Sequence, residues 1–105
     1  MRGDVHRLKA SGTTLGHEQT GRRYAIVLQV DALAHMSTWF VVPTSGSAGP
    51  AVYRPEVTVK SATTRALAEH AGGIDPQARL GELVGHLSHD DLTAGEDALR
   101  LLTGL

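Results

Sequence analysis

Residues 16–29 read GHEQTGRRYAIVLQ: two glycines around an acid and an amide, an arginine pair, then an unbroken apolar run. The run decides the fold. Tyr24–Val30 is apolar at both parities and rich in β-branched residues, so both of its faces need cover, as in a central strand. The preceding stretch, rich in glycine and hydroxyl residues, reads as an exposed loop. A loop therefore delivers two arginines to the mouth of a buried strand.

Outward from that strand the elements are short. Asp4–Leu8 alternates weakly and is predicted as a first strand. Residues 31–37 lead to a second buried strand, Thr38–Pro43, which Pro43 should stop. Thr44–Pro50, TSGSAGP, reads as a loop by composition. Arg54–Lys60 sets Glu56, Thr58 and Lys60 against Val57 and Val59, a half-buried strand. TTRALAEH, residues 63–70, is compatible with strand or helix. A turn at Asp75-Pro76, a short helical turn and a last strand near Glu82–Leu87 follow. The tail, SHDDLTAGEDALRLLTGL, is the clearest helix. Ser88 caps it, Asp91 stands at capping-box spacing, and Asp90 and Asp91 suit the positive end of the dipole. Leu92, Leu99 and Leu102 share a face, with Ala98, Leu101 and Leu105 beside them. Short strands closed by one helix predict a mainly β fold: a small curled sheet or barrel with a packed C-terminal helix, one domain over 1–105.

Composition sets outer limits. A chain of 105 residues, 41% hydrophobic and 20% charged, fits one soluble globular domain. It has no cysteine, hence neither disulfides nor a thiolate metal site, which suits a reducing cytosol. The polar N-terminal stretch lacks the apolar core of a signal peptide. No apolar run approaches the roughly 20 residues of a membrane span. A cytoplasmic protein without membrane contact is expected. The net charge of −1 excludes a strong general pull toward phosphate. Yet residues 1–23 carry five basic side chains against Asp4 and Glu18, while residues 69–105 carry seven acids against Arg79 and Arg100. That asymmetry allows a local basic site, and equally allows unevenly charged solvated faces.

Three motifs carry little. Gly16-xxxx-Gly21-Arg22-Arg23 nearly spells a phosphate loop, but arginines replace the lysine and hydroxyl, and a strand follows instead of a helix. Without a helix N-terminus there is no amide cradle for a triphosphate. His86-xx-His89 crosses from strand to helix cap, so its imidazoles need not converge on a metal. Arg2-Gly3-Asp4 reads as the start of a strand. The arginine pair carries more. If the strands beginning at Tyr24 and ending at Pro43 are neighbours, Arg23 and the Thr44–Ser45 hydroxyls share one rim. A cation and a hydroxyl flanking a phosphodiester suit metal-free RNA cleavage by the substrate's own 2′-hydroxyl. The competing reading makes Arg22 and Arg23 gatekeepers of an aggregation-prone strand. Residue types alone leave both open.

The blocks RGDV, GHEQTGRRYAIVL, VVPTSGSA, RPEVTV and IDPQARLGELVGHLS, then the amphipathic helix, follow one another as they do in the MazF/PemK (Kid) toxins of toxin–antitoxin pairs. The sequence resembles that family over essentially its whole length, most specifically in Gly-x-Glu-Gln-x-Gly-Arg-Arg. The resemblance implies an SH3-like barrel with a C-terminal helix and a homodimer. It further implies a metal-independent, sequence-specific endoribonuclease acting on single-stranded RNA, mainly mRNA, and inhibited by a cognate antitoxin. No cofactor and no metal are implied. By position, Arg23 matches the family's catalytic arginine and Ser45 its catalytic Thr/Ser, with Thr44 one residue away. Glu18 and Gln19 match loop residues that shape the site. Arg22 is a supporting charge, and His17 stands where a small Ser is common.

The sequence also departs from the family pattern. Tyr24 replaces a proline, Glu69-His70 replaces a [DE]-Q pair, Gly72 replaces a common arginine, and VHRL lacks the usual aromatic. Two other functions remain as alternatives: a non-catalytic partner-binding module, or a gyrase-directed toxin of the same fold. The ending Leu-Thr-Gly-Leu lacks the Trp-Gly-Ile tail of the gyrase poisons.

Overall fold

Burial on both sides of one short strand organises the chain. In the structure, a computed structural model, residues 1–9 and 23–105 are described. Their elements are β1 (Asp4–Leu8), β2 (Tyr24–Val27), β3 (Trp39–Ser45), β4 (Glu56–Val59), β5 (Ala62–Ala66), β6 (Gly72–Ile74), α1 (Pro76–Arg79), β7 (Leu80–His86) and α2 (His89–Thr103). Short 3-10 turns lie at Asp31–Leu33 and Ala68–His70. The strands form an antiparallel sheet in the order β4-β5-β3-β2-β1-β7, and β6 pairs with the first half of β3.

Strand β2 feeds two apolar clusters. Ile26, with Leu28 just beyond the strand, joins Val5, Val42, Val57, Val59 and Leu87 on the face that α2 covers through Leu92 and Leu99. Ala25 and Val27 join Val41 and Leu80 on the other face, beneath Trp39 and Ile74. Each buried Val, Leu or Ile among them contributes about 1.5–3 kcal/mol. The apolar run from Tyr24 thus has the two-sided cover its composition demands, although the strand proper ends at Val27. The result is the predicted mainly β half-barrel with a C-terminal helix.

Local chemistry moved several boundaries. Pro43 does not stop β3, which runs on through Thr44 and Ser45. Its carbonyl accepts from Leu67 N–H at 2.8 Å, so the missing proline N–H faces that side and the β2–β3 ladder loses nothing. TTRALAEH divides, its first half ending β5 and its last residues forming a 3-10 turn. The β4–β5 connection is a two-residue turn with Lys60 (φ 53°) and Ser61 (φ 67°) both left-handed. Asp75 caps α1 by accepting from Gln77 N–H.

Helix α2 begins as expected, with Ser88 accepting from Asp91 N–H at 3.1 Å. Asp91 does not close the capping box. Its Oδ2 accepts from Thr58 N–H at 2.9 Å, fastening the helix to the edge of β4. Leu92, Leu99 and Ala98 pack inward, but Leu101, Leu102 and Leu105 are exposed because the last turn outruns the core. The Arg2-Gly3-Asp4 triplet is a structural corner. Arg2 holds Leu28 O and Glu96, Gly3 takes φ 90°, and Asp4 meets His86 at 2.9 Å. Among the described residues no helix is long and apolar enough to cross a membrane.

Under α2 lies a void of about 10 Å³ that Gly95 helps to line. A Cβ at Gly95 would meet nothing within 4 Å among the described residues. Gly95→Ala should therefore stabilise the protein by about 1 kcal/mol, from helix propensity and a partly filled void. Urea unfolding with an unchanged m-value would measure this gain; a lowered midpoint would refute it.

Candidate functional site

Arg23 sits one residue before β2 and is tied down at both of its ends. Its carbonyl accepts from Leu8 N–H at 3.0 Å, fixing its backbone to β1. Its Nε donates to Thr44 O at 3.1 Å, laying the guanidinium against β3. That carbonyl belongs to the peptide joining Thr44 to Ser45, so the guanidinium is held beside the residue expected to supply the hydroxyl. Half-burial limits its freedom further.

The two candidate hydroxyls separate because strand side chains alternate between faces. Thr44 is 1% exposed and its Oγ1 accepts from Tyr24 N–H at 3.2 Å. This hydroxyl is part of the scaffold. Ser45 is only half-buried, and its Oγ lies 3.3 Å from Ser47 Oγ. Tyr24, the departure from proline, gains a purpose: the N–H that proline lacks closes the strand pair beside Arg23. Of the remaining expected site residues, His17, Glu18, Gln19 and Arg22 lie outside the described residues, as do Gly16 and Gly21.

A second set of charges supports the same end of β3. Arg54 donates from Nε to Glu69 Oε2 at 2.7 Å, and its Nη2 lies 2.6 Å from the same oxygen. Arg54 Nη1 also reaches Gly49 O at 3.2 Å, and its guanidinium lies 5.6 Å from the Tyr53 ring centroid. Arg65, paired in register with Ser45, donates to Arg54 O at 2.9 Å and to Glu56 at 3.2 Å. The loop after Ser45 is thereby strapped to the 3-10 turn at Ala68–His70. Desolvation pushes the Glu69 carboxyl up, but the Arg54 hydrogen bond, a backbone bond and nearby positive charge outweigh it and hold it below its ordinary range. Arg54 is raised in return, chiefly by its bond to Glu69. Glu69 Oε1 is buried without a partner among the described residues.

Sequence reasoning missed Arg54 and Arg65 as a group. Their only signal was two arginines flanking a hairpin whose turn was not recognised. It singled out His86 and His89 to little effect: His86 is engaged by Asp4 across β1 and β7. No cluster of metal-binding side chains occurs among the described residues. The arrangement as a whole offers one anchored guanidinium, one accessible hydroxyl beside it, and a braced loop. Such a set can hold and neutralise a phosphodiester.

A family model described as PemK-like, MazF-like toxin of type II toxin–antitoxin system matches residues 1–103. A Mycobacterium tuberculosis protein, provisionally named a toxin, is 39% identical over 105 residues, covering 100% of this chain and 98% of that one. Among solved structures, MazF from Deinococcus radiodurans is similar with a TM-score of 0.78 at 24% identity, covering 98% of this chain and 94% of that one. A MazE–MazF complex from the same organism gives 0.77 at 26% identity, covering 99% and 95%. An endoribonuclease from a mycobacterial species, in complex with its cognate antitoxin, gives 0.78 at 18% identity over 100% and 95%. The first and third of these likenesses show the fold alone.

Two consequences of the geometry are measurable. Thr44→Val keeps the shape but strands Tyr24 N–H, so stability should fall by roughly 1–3 kcal/mol; chemical denaturation unchanged from wild type would refute the lock. Because the folded pKa of Glu69 is depressed, its stabilisation is full above the ordinary carboxylate value, about 4.3, and is lost as pH falls through the lower folded value. The Tm difference between wild type and Glu69→Gln should therefore be full at neutral pH and close in strong acid. A difference that grows on acidification would contradict this.

Proposed function

We propose, from the premise that this chain belongs to the PemK-like, MazF-like toxins of type II toxin–antitoxin systems, that it is a sequence-specific endoribonuclease. Its substrate is single-stranded RNA, mRNA above all. The observation that carries the reading is the Arg23 guanidinium held on the carbonyl between Thr44 and Ser45. A cation needed only to balance charge at a strand mouth would have no reason to be fixed there.

In the proposed reaction the 2′-hydroxyl of the substrate attacks the adjacent phosphorus, its proton leaves, and the bond to the 5′-oxygen breaks as that oxygen takes up a proton. Arg23 neutralises charge growing on the phosphorane oxygens and assists proton transfer. Ser45 orients the phosphate, a role that buried Thr44 is poorly exposed to fill. Glu18, Gln19, Arg22 and His17 are proposed to shape the substrate side of the site. No metal or cofactor enters this scheme. The active species is proposed to be a cytoplasmic homodimer of one domain spanning residues 1–105. A cognate antitoxin would inhibit it by covering the site with an extended segment; a MazF of 26% identity is found with its MazE.

The test is cleavage of mixed single-stranded RNA with EDTA present. Wild type should cut, and Arg23→Ala should lose about 100-fold or more in rate, the usual cost of removing one preorganised charge donor. Ser45→Ala should lose activity while keeping its thermal stability. Equal cleavage by wild type and Arg23→Ala would overturn the site. Antitoxin binding without any cleavage would favour the non-catalytic alternative.

A further inference from the structure

A groove of about 200 Å³ opens beside the anchored arginine. Leu8 and Pro43 form its apolar walls, the backbone at Gly72 and Gly73 lines it, and His70 and Arg79 stand along it. Both walls are direct neighbours of Arg23. Leu8 N–H bonds the Arg23 carbonyl, and Pro43 precedes Thr44, whose carbonyl receives Arg23 Nε. The groove therefore begins where the guanidinium is held.

Gly72 puts no side chain into the groove, and a Cβ built there meets nothing within 4 Å among the described residues. The neighbouring position is closed, since a Cβ at Gly73 would come within 2.7 Å of Thr38 Cγ2. Arg79 brings positive charge to the groove. Arg79 is held by Nε on Lys9 O at 3.3 Å, and its two terminal nitrogens make no hydrogen bond among the described residues. His70 is exposed. Apolar walls, an aromatic ring and a planar cation around a bare backbone are the means by which proteins hold unstacked RNA bases.

We propose that this groove is a subsite for one unpaired nucleobase next to the scissile phosphate, with guanine preferred. The base lies against His70 and the Leu8–Pro43 wall, and its adjacent O6 and N7 acceptors face the Arg79 guanidinium. The inference rests on the RNA-cleavage reading above and adds the specificity that reading lacks. Gly72 is the permissive element, and His70 and Arg79 are the discriminating ones.

The experiment is digestion of an RNA pool randomised in sequence, with the cut ends sequenced, followed by KM and kcat on the preferred RNA. Wild type should show one strongly preferred base, guanine, beside the cut. Gly72→Leu, which fills open space, should erase that preference and raise KM roughly ten-fold, the loss expected when one base no longer stacks. The loss should fall on KM more than on kcat. His70→Ala should act in the same direction, and Arg79→Gln should shift preference away from guanine. Should Gly72→Leu fail a thermal melt, the exposed His70 variant carries the test. A wild type that cuts RNA while these variants keep its base preference and KM would overturn the subsite alone. A wild type that cuts no RNA would overturn the cleavage reading and this inference with it.

Discussion

The demand that β2 be covered on both faces governs the rest of the molecule. A strand with Ala25 and Val27 on one side and Ile26 on the other cannot lie at a surface without exposing apolar area on one of them. One face is met by α2 and the strands beneath it, the other by Trp39 and Val41 of β3, Ile74 of β6 and Leu80 at the start of β7. Because the strand is immobilised on both sides, so is the residue just before it. Arg23 inherits its position from the core: the carbonyl goes to β1, the side chain to β3, and the next N–H to the Thr44 hydroxyl.

Precision at this site therefore comes from backbone groups more than from charge pairing. Thr44 supplies an acceptor from its carbonyl to Arg23 and an acceptor from its hydroxyl to Tyr24, and being buried it has no freedom to do otherwise. The Arg54–Glu69 pair works at longer range, binding the loop after Ser45 to the turn before β6. The two devices brace opposite sides of Ser45, and the groove floored by Gly72 starts where they end.

How much of this the sequence displayed depended on whether the signal was local. The two-faced run at Tyr24–Val30, the alternation at Arg54–Lys60 and the Ser88 cap are each stated within a few residues. The cap formed as expected, and the two strands formed within those runs but shorter, as Tyr24–Val27 and Glu56–Val59. Strand β6 was invisible because Gly72-Gly73 has no strand propensity of its own; pairing with β3 imposes the conformation. The turn at Lys60-Ser61 carried no glycine to announce it, which left the reading of residues 63–70 open. Pro43 misled because its effect depends on which neighbour its missing N–H would face. In the candidate site, Arg23 and the Thr44–Ser45 pair could be named by position, while telling the two hydroxyls apart needed the burial of Thr44. Arg54 and Glu69 are 15 residues apart and meet only after β4 and β5 have folded back.

The pairing of β1 with β7 has a consequence for how the molecule comes to exist. Asp4 and His86 lie opposite one another in the sheet although 82 residues separate them. Hairpins such as β4–β5 can close over a two-residue turn, whereas β1 must wait for a partner near the far end of the chain and meet a large loop-closure entropy to reach it. Among the strand pairs of the described residues, this seam joins the segments furthest apart in sequence. The placement of Arg23 depends on β1 through the Leu8 N–H. The position of Arg23 is thus fixed through contacts that span most of the sheet, and not by its local sequence alone.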